Sequence, residues 1–459
     1  MISQTALVEH GAMGQNACLP GRRFRFAGAH RWQQGKDFVS LDIDWVRSRF
    51  PALDTDWAFF DNGGGSQILQ PVLDRIGEYL LTSNVQHGAS YEGSQLASAR
   101  LRLAEEAVAT LINARHASEV VMGGSSTLLL QTLATCFGET LDPGDEVIVS
   151  SGDHESNIAP WLALELLGVH VKFWDGHGRS RQLRVQDLES LLSPRTKLVA
   201  VTHTSNILGT INPIREIADS VHKWGALLCV DGVAYAPHRA IDVQALDVDF
   251  YAFSFYKTYG PHHAMLYGKR ELLLELPSRS FFFIAEDDVP YKFQPGGVNY
   301  ELSYGMIGLM DYLDEVASRG APSDAASGGE LAASRHGRAA VESAFAMIAE
   351  HEEALSSRLF DFLRGRAGVR IVGHDVADRN VRVPIVSFVV DGMSSCEVVT
   401  RMDEHRVAIR FGHFYSPRLL NLLGLDADEG VIRVSMVHYN TLAEVDRLTT
   451  ALDSILPGS

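Results

Sequence analysis

A lysine set among aromatic and hydroxyl side chains, Ser254-Phe255-Tyr256-Lys257-Thr258-Tyr259-Gly260-Pro261, is the strongest chemical signal in the chain. An ammonium in apolar surroundings loses hydration, so its pKa falls and the neutral amine becomes a nucleophile toward an aldehyde. The alternative is a lysine whose stem packs on the tyrosines while its head reaches water. Upstream, Leu227-Leu228-Cys229-Val230-Asp231-Gly232 places a carboxylate at the end of a run that reads as a buried parallel strand. A buried aspartate needs a cationic partner. A third stretch, Val120-Val121-Met122-Gly123-Gly124-Ser125-Ser126-Thr127, joins a strand, a glycine turn and hydroxyls at a helix start. Free N–H groups and the positive end of the helix dipole converge there, so Gly124, Ser125 and Ser126 read either as an anion cradle or as an ordinary N-cap.

The elements that must position these groups alternate. Strands are expected at Trp57–Phe60, 120–122, Glu146–Val149, Val169–Phe173, Leu198–Val201, 227–231 and 249–253, with helices over Gln70–Leu81, Ser94–Asn113 and Leu128–Phe137. This order predicts an α/β fold with a mostly parallel sheet, helices on both faces and ligands at the carboxyl ends of the strands. Further helices are expected at 305–317, from about 338, after Ser395 and from Leu442, with strands near 370–372 and 385–390. The division is a poorly ordered extension over residues 1–40, a large domain over 41–310 whose first segment packs on the small domain, and a smaller C-terminal α+β domain over 311–459. The run Ser318–Gly337, rich in Ala, Ser and Gly, reads as a surface insertion.

With 459 residues, 46% hydrophobic and 21% charged, the chain can bury a full core. A net charge of -17 argues against nucleic-acid binding, which needs clustered Lys and Arg. Four scattered cysteines, Cys18, Cys136, Cys229 and Cys396, indicate neither a disulfide framework nor a zinc site. No apolar run reaches membrane-spanning length and no signal peptide is visible, so the cytoplasm is the expected compartment.

An aspartate closing a strand, followed about one strand unit later by a Ser-x-x-Lys lysine, resembles the class V aminotransferases, and within them the cysteine desulfurase group. The resemblance runs over roughly residues 42–455 and implies the fold-type I architecture of pyridoxal phosphate (PLP) enzymes. It implies that Lys257 forms the internal aldimine and that Asp231 pairs with the pyridinium nitrogen. In Asp153-His154-Glu155-Ser156-Asn157, His154 is the ring-stacking histidine by resemblance. In His203-Thr204-Ser205-Asn206, the same resemblance implies that Asn206 lies near the cofactor O3′ and the substrate carboxylate. The resemblance also implies that Ser126 and Ser254 hold the phosphate with Gly124 and Ser125 shaping its cradle, within reach of the Tyr256 hydroxyl. Arg410 in Arg410-Phe411-Gly412-His413 grips a substrate carboxylate, a task suited to guanidinium geometry. Phe293-Gln294-Pro295-Gly296-Gly297-Val298-Asn299 is similar to the loop that reaches a neighbouring subunit's site, which implies a homodimer.

The chain also departs from that pattern. Where one desulfurase group carries two histidines and then the persulfide-forming cysteine, this sequence has His413-Phe414-Tyr415. Cys396, at a helix start, is the nearest candidate thiol, but its surroundings do not match. Ala234 replaces the glutamine expected near O3′, leaving Tyr235 or His238 to substitute. The expectation is therefore a PLP enzyme acting on an α-amino acid, first a lyase at a carbon–sulfur or similar β-bond. The other outcomes are an aminotransferase, a desulfurase with a non-standard sulfur acceptor, and a PLP-binding protein without turnover.

Overall fold

The computed structural model describes residues 41–178, 182–320 and 337–456. The extension expected before residue 40 and nearly all of the Ala/Ser/Gly-rich run lie outside them. Strands β1 Ala58–Phe59 and β11 Val407–Ala408 pair with each other. β2 Val120–Gly123, β3 Glu146–Ser150, β4 His170–Trp174, β5 Thr196–Thr202, β6 Leu227–Asp231, β7 Phe250–Ser254 and β8 Ala264–Gly268 form a seven-stranded sheet in the order β2-β8-β7-β6-β5-β3-β4. β9 Val369–Val372, β10 Ile385–Val390, β12 Arg410–Gly412 and β13 Val431–Ser435 form an antiparallel sheet in the order β12-β13-β10-β9.

In the large sheet every strand but β8 runs the same way. Helices cover both faces, so strands such as β3 and β7 are buried along their whole length and read as unbroken apolar runs. β8 was not anticipated from the sequence, and its reversal has a simple cause. The link 255–263 after β7 is shorter than the dozen or so residues that a parallel crossover needs, so the chain must return antiparallel. Because β2, β3, β5, β6 and β7 are parallel, Gly123, Ser150, Thr202, Asp231 and Ser254 all close strands at one edge of the sheet.

The four-stranded sheet has its own core of Val386, Phe388, Val398, Met402, Ile432, Val434 and Leu448, which Ala58 and Phe60 join. The helix Arg338–Arg364 runs between the two halves of the fold and carries Glu352, which is fully buried. Its carboxylate takes His238 Nδ1 at 2.8 Å and Arg239 Nη1 at 2.7 Å.

Candidate active site

Lys257 ends a short 3₁₀ turn, Phe255–Lys257, at the carboxyl end of β7. The turn is held from both sides. The Ser66 N–H donates to Tyr256 O at 3.0 Å, the Tyr259 N–H to Ser66 Oγ at 2.9 Å and the Leu69 N–H to Tyr259 O at 3.0 Å. Tyr259 itself has φ +64°, and its hydroxyl is anchored on Pro237 O at 2.5 Å. Burial, and then the nearby Arg433 guanidinium, pull the Lys257 ammonium down from 10.5 to about 8, against Asp231 and Asp61, which favour the charge. A neutral amine is thus accessible near neutral pH.

Asp231 is 3% exposed at the end of β6, where its Oδ1 accepts the Val233 N–H at 2.9 Å, and burial raises its pKa. Asp153, also buried, is pushed up to about 8, first by desolvation. His154 caps the turn Glu155–Asn157, with Nδ1 accepting the Ser156 N–H at 3.1 Å. That bond puts the ring proton on Nε2. Burial, then Lys257 and Arg433, lower His154 to about 4, so it is a neutral, flat imidazole at physiological pH.

The cradle lies across the sheet edge from the lysine. Ser125 caps the 13-residue helix Ser126–Gly138 by accepting the Leu128 N–H at 3.2 Å, as the N-cap reading expects. Ser254 Oγ, 2% exposed, donates to Ser126 Oγ at 2.9 Å and accepts the Ser126 N–H at 3.4 Å. Two hydroxyls, one from β7 and one from the helix start, therefore meet where the helix presents its free N–H groups. Gly124 is exposed beside them. The Tyr256 ring lies 5.6 Å from Lys257 Nζ and stacks on His262 at 5.0 Å.

The side chains expected to replace the missing glutamine point to different neighbours. Tyr235 stacks on the buried His203 ring at 3.5 Å and 11°, whereas His238 is turned to Glu352. Arg410 is largely exposed, its side chain 60% accessible, and its Nε pairs with Asp61 Oδ2 at 2.7 Å.

A second arginine, which sequence reasoning missed, is more deeply placed. Arg433 on β13 is 2% exposed; it donates to Asn206 O at 3.2 Å and to Asp61 Oδ1 at 3.2 Å, while its buried Nε has no hydrogen-bond partner. The Phe414 ring covers it at 3.8 Å. The available signal was an arginine inside the apolar run Val431-Ile432-Arg433-Val434.

The segment His413–Ser416 arches over this region. The Asn206 amide donates to Phe414 O at 2.8 Å and accepts from Ser416 Oγ at 3.0 Å, and the Glu155 N–H donates to Tyr415 O at 2.8 Å. Phe414 and Tyr415 are both left-handed, at φ +50° and +58°, a costly backbone for two bulky residues. The Tyr415 ring lies 5.1 Å from that of His154 and is 68% exposed. Cys136 and Cys229 are buried in the core, and Cys396 is exposed in the first turn of the helix Ser395–Glu404.

A nucleophilic amine, a buried carboxylate, a flat neutral imidazole and a hydroxyl-lined helix start converge on one edge. Together they supply what an aldehyde-bearing, phosphorylated pyridine needs: a covalent tether, a partner for the ring nitrogen, a stacking face and an anion cradle. The residues present therefore fit PLP.

Comparison with known proteins agrees. The family profile described as Aminotransferase class-V matches residues 58–338 and 329–448. The aminotransferase-like protein FGM3 of Gibberella zeae is 44% identical over 91% of this chain and 99% of its own length. The cysteine desulfurase-like protein ustD of Aspergillus flavus is 32% identical over 91% of both chains. Among solved structures, the cysteine desulfurase CsdA of Escherichia coli superposes with a TM-score of 0.75 at 27% identity, covering 91% of this chain and 99% of that one. No helix among the described residues is long and apolar enough to cross a membrane. The chain belongs to the class V aminotransferase family, in its cysteine desulfurase-like part, with the fold-type I architecture and PLP dependence of that family.

Proposed function

We propose that this protein is a PLP-dependent lyase that takes an α-amino acid and cleaves a carbon–sulfur or similar bond at its β-carbon, without a protein thiol as acceptor. What supports this reading is the arch: Tyr415 lies beside His154, where by the sequence resemblance the desulfurase motif has its cysteine, while Cys136 and Cys229 are buried in the core and the exposed Cys396 sits on the helix Ser395–Glu404. When bound, the cofactor supplies an electron sink for charge developing at the substrate α-carbon. Lys257 tethers it and, once free, its neutral Nζ takes the α-proton, for which a pKa near 8 is well matched. Asp231 would keep the ring nitrogen protonated, and the flat, neutral imidazole of His154 would offer the ring a stacking face. Ser126 and Ser254 would hold the phosphate with the helix N–H groups, Gly124 and Ser125 would shape the cradle, and the Tyr256 hydroxyl would add a donor. Asn206 supports the substrate end of the site.

The substrate carboxylate is taken by Arg433 from inside, where a buried Nε is unspent, and by Arg410 from the solvent side. The protein acts as a cytoplasmic homodimer, with the loop at Gly296 and Gly297, exposed at Gly296, completing the partner's site.

The test is a product screen of the PLP-loaded protein against a panel of amino acids, following pyruvate, ammonia and sulfide with and without a 2-oxo acid. Pyruvate and ammonia formed without the oxo acid support the lyase. Turnover only with the oxo acid selects the second reading, an aminotransferase, which the description of the 44%-identical relative as aminotransferase-like favours. Lys257→Ala should lose borohydride-fixable cofactor; retention would remove the lysine from its role.

A further inference from the structure

β8 lies between β2 and β7 and runs against both, so it begins where they end. Its first residue, Ala264, is level with Gly123, which closes β2, and with Ser254, which closes β7. The two residues before it, His262 and His263, therefore extend past the sheet edge between Ser254 on one side and the Gly124–Ser126 turn on the other. Their backbone is fastened to the lysine turn: the Phe255 N–H donates to His263 O at 2.8 Å, and the Gly260 N–H to Phe255 O at 2.9 Å. The two imidazoles then part, as neighbours in an extended segment do. His263, 1% exposed, is turned inward, where Nε2 meets Ser303 Oγ at 3.1 Å. His262 is exposed and stacks on the Tyr256 ring, with centroids 5.0 Å apart and planes within 9°. Tyr256 is itself held against Gly65, where a Cβ would stand 3.4 Å from its ring.

The residues assigned to the cradle, Gly124, Ser125, Ser126, Ser254 and Tyr256, are all uncharged, whereas a phosphate monoester carries about −1.5 to −2 at neutral pH. The helix start offsets only about half a unit charge, and the Lys257 amine is committed to the cofactor's aldehyde. A side chain that donates an N–H and can carry positive charge is what this set lacks. We propose that His262 is a further cofactor-binding residue: from its stack on Tyr256 it donates an imidazole N–H to the cofactor phosphate and supplies the positive charge that the serine cradle does not. The inference rests on the reading of Ser126 and Ser254 as the phosphate site given above. A hydrogen bond between ionised partners is about twice as strong as one between neutral groups, so one imidazole adds more than a third hydroxyl would. Tyr256 has a second task here, as the platform that fixes the plane of the imidazole.

Pyridoxal keeps the aldehyde and the pyridine of the cofactor and lacks only the phosphate, which makes the pair the probe. Dissociation constants of PLP and pyridoxal would be measured on the full-length apoprotein by absorbance titration. His262→Phe preserves a flat ring for the stack and removes the N–H and the charge, and because His262 is exposed the exchange leaves the core untouched. It should weaken PLP by about tenfold or more and leave pyridoxal unchanged. His262→Arg keeps a cation that stacks on an aromatic face, and should bind PLP more tightly than His262→Phe does. Ser254→Ala tests the cradle itself. Unchanged PLP affinity in His262→Phe, equal losses of PLP and pyridoxal, or an arginine variant no better than the phenylalanine one overturns the role of His262; the cradle reading stands if Ser254→Ala still weakens PLP alone. A Ser254→Ala protein that binds PLP as the wild type does overturns both.

Discussion

Arg433→Met removes a positive charge that acts on Lys257 and should raise the pKa of that lysine. In the folded protein the amine titrates at about 8 instead of 10.5, with burial as the largest cause and Arg433 next, while Asp231 and Asp61 oppose them. At pH 7 a group with that pKa is neutral in roughly one molecule in ten. Methionine keeps much of the side-chain volume, so desolvation persists and chiefly the Coulombic contribution is lost. One buried charge at short range is worth about one pKa unit, or about 1.4 kcal/mol, at the effective dielectric of protein interiors. The neutral fraction at pH 7 should then fall to roughly one in a hundred. The assay is the rate at which the apoprotein captures pyridoxal phosphate as a function of pH, since only the neutral amine attacks the aldehyde. The midpoint should move up by about one unit in Arg433→Met and down in Asp231→Asn, which removes a charge of the opposite sign. A midpoint that stays put in Arg433→Met, or moves the same way in both variants, refutes the electrostatic account of Lys257.

Ser126→Ala and Ser254→Ala should each weaken cofactor binding by about 1 kcal/mol, and the double variant by less than the sum, because the two hydroxyls bond each other at 2.9 Å. Additive losses measured by equilibrium dialysis would mean that they act apart. Glu352→Ala strands Arg239 without its buried counterion and His238 without its hydrogen-bond partner and should cost about 3–5 kcal/mol, seen as a large drop in melting temperature. At position 415, where φ is +58°, glycine should be more stable than alanine by about 1 kcal/mol, the reverse of an ordinary helical or strand site. Equal melting temperatures for Tyr415→Gly and Tyr415→Ala would show that the arch relaxes freely.

What the chain disclosed from its sequence and what it withheld divide along local and non-local physics. A parallel strand covered on both faces is apolar throughout, so β3, β5, β6 and β7 were legible as runs, and the residues that end them followed at once. Asp231 and Lys257 stand out because a carboxylate or an amine closing such a run has nowhere ordinary to go. The same logic covers Ser126, since a glycine turn with hydroxyls before a helical stretch carries its own capping signal.

Arg433 is a different case. In an edge strand, an arginine among valines and isoleucines is a solvated side chain and needs no explanation. β13, however, lies between β12 and β10, and its central place comes from pairings with residues as distant in sequence as Ile385–Phe388. Once the strand is interior, the arginine is buried and requires a counterion, which comes from Asp61, 372 residues away. Neither the strand order nor that partner has a local signature, and the left-handed Phe414 that covers the guanidinium has none either, because neither it nor Tyr415 is a glycine. The charge balance of the candidate site is therefore set by contacts between residues far apart in the sequence.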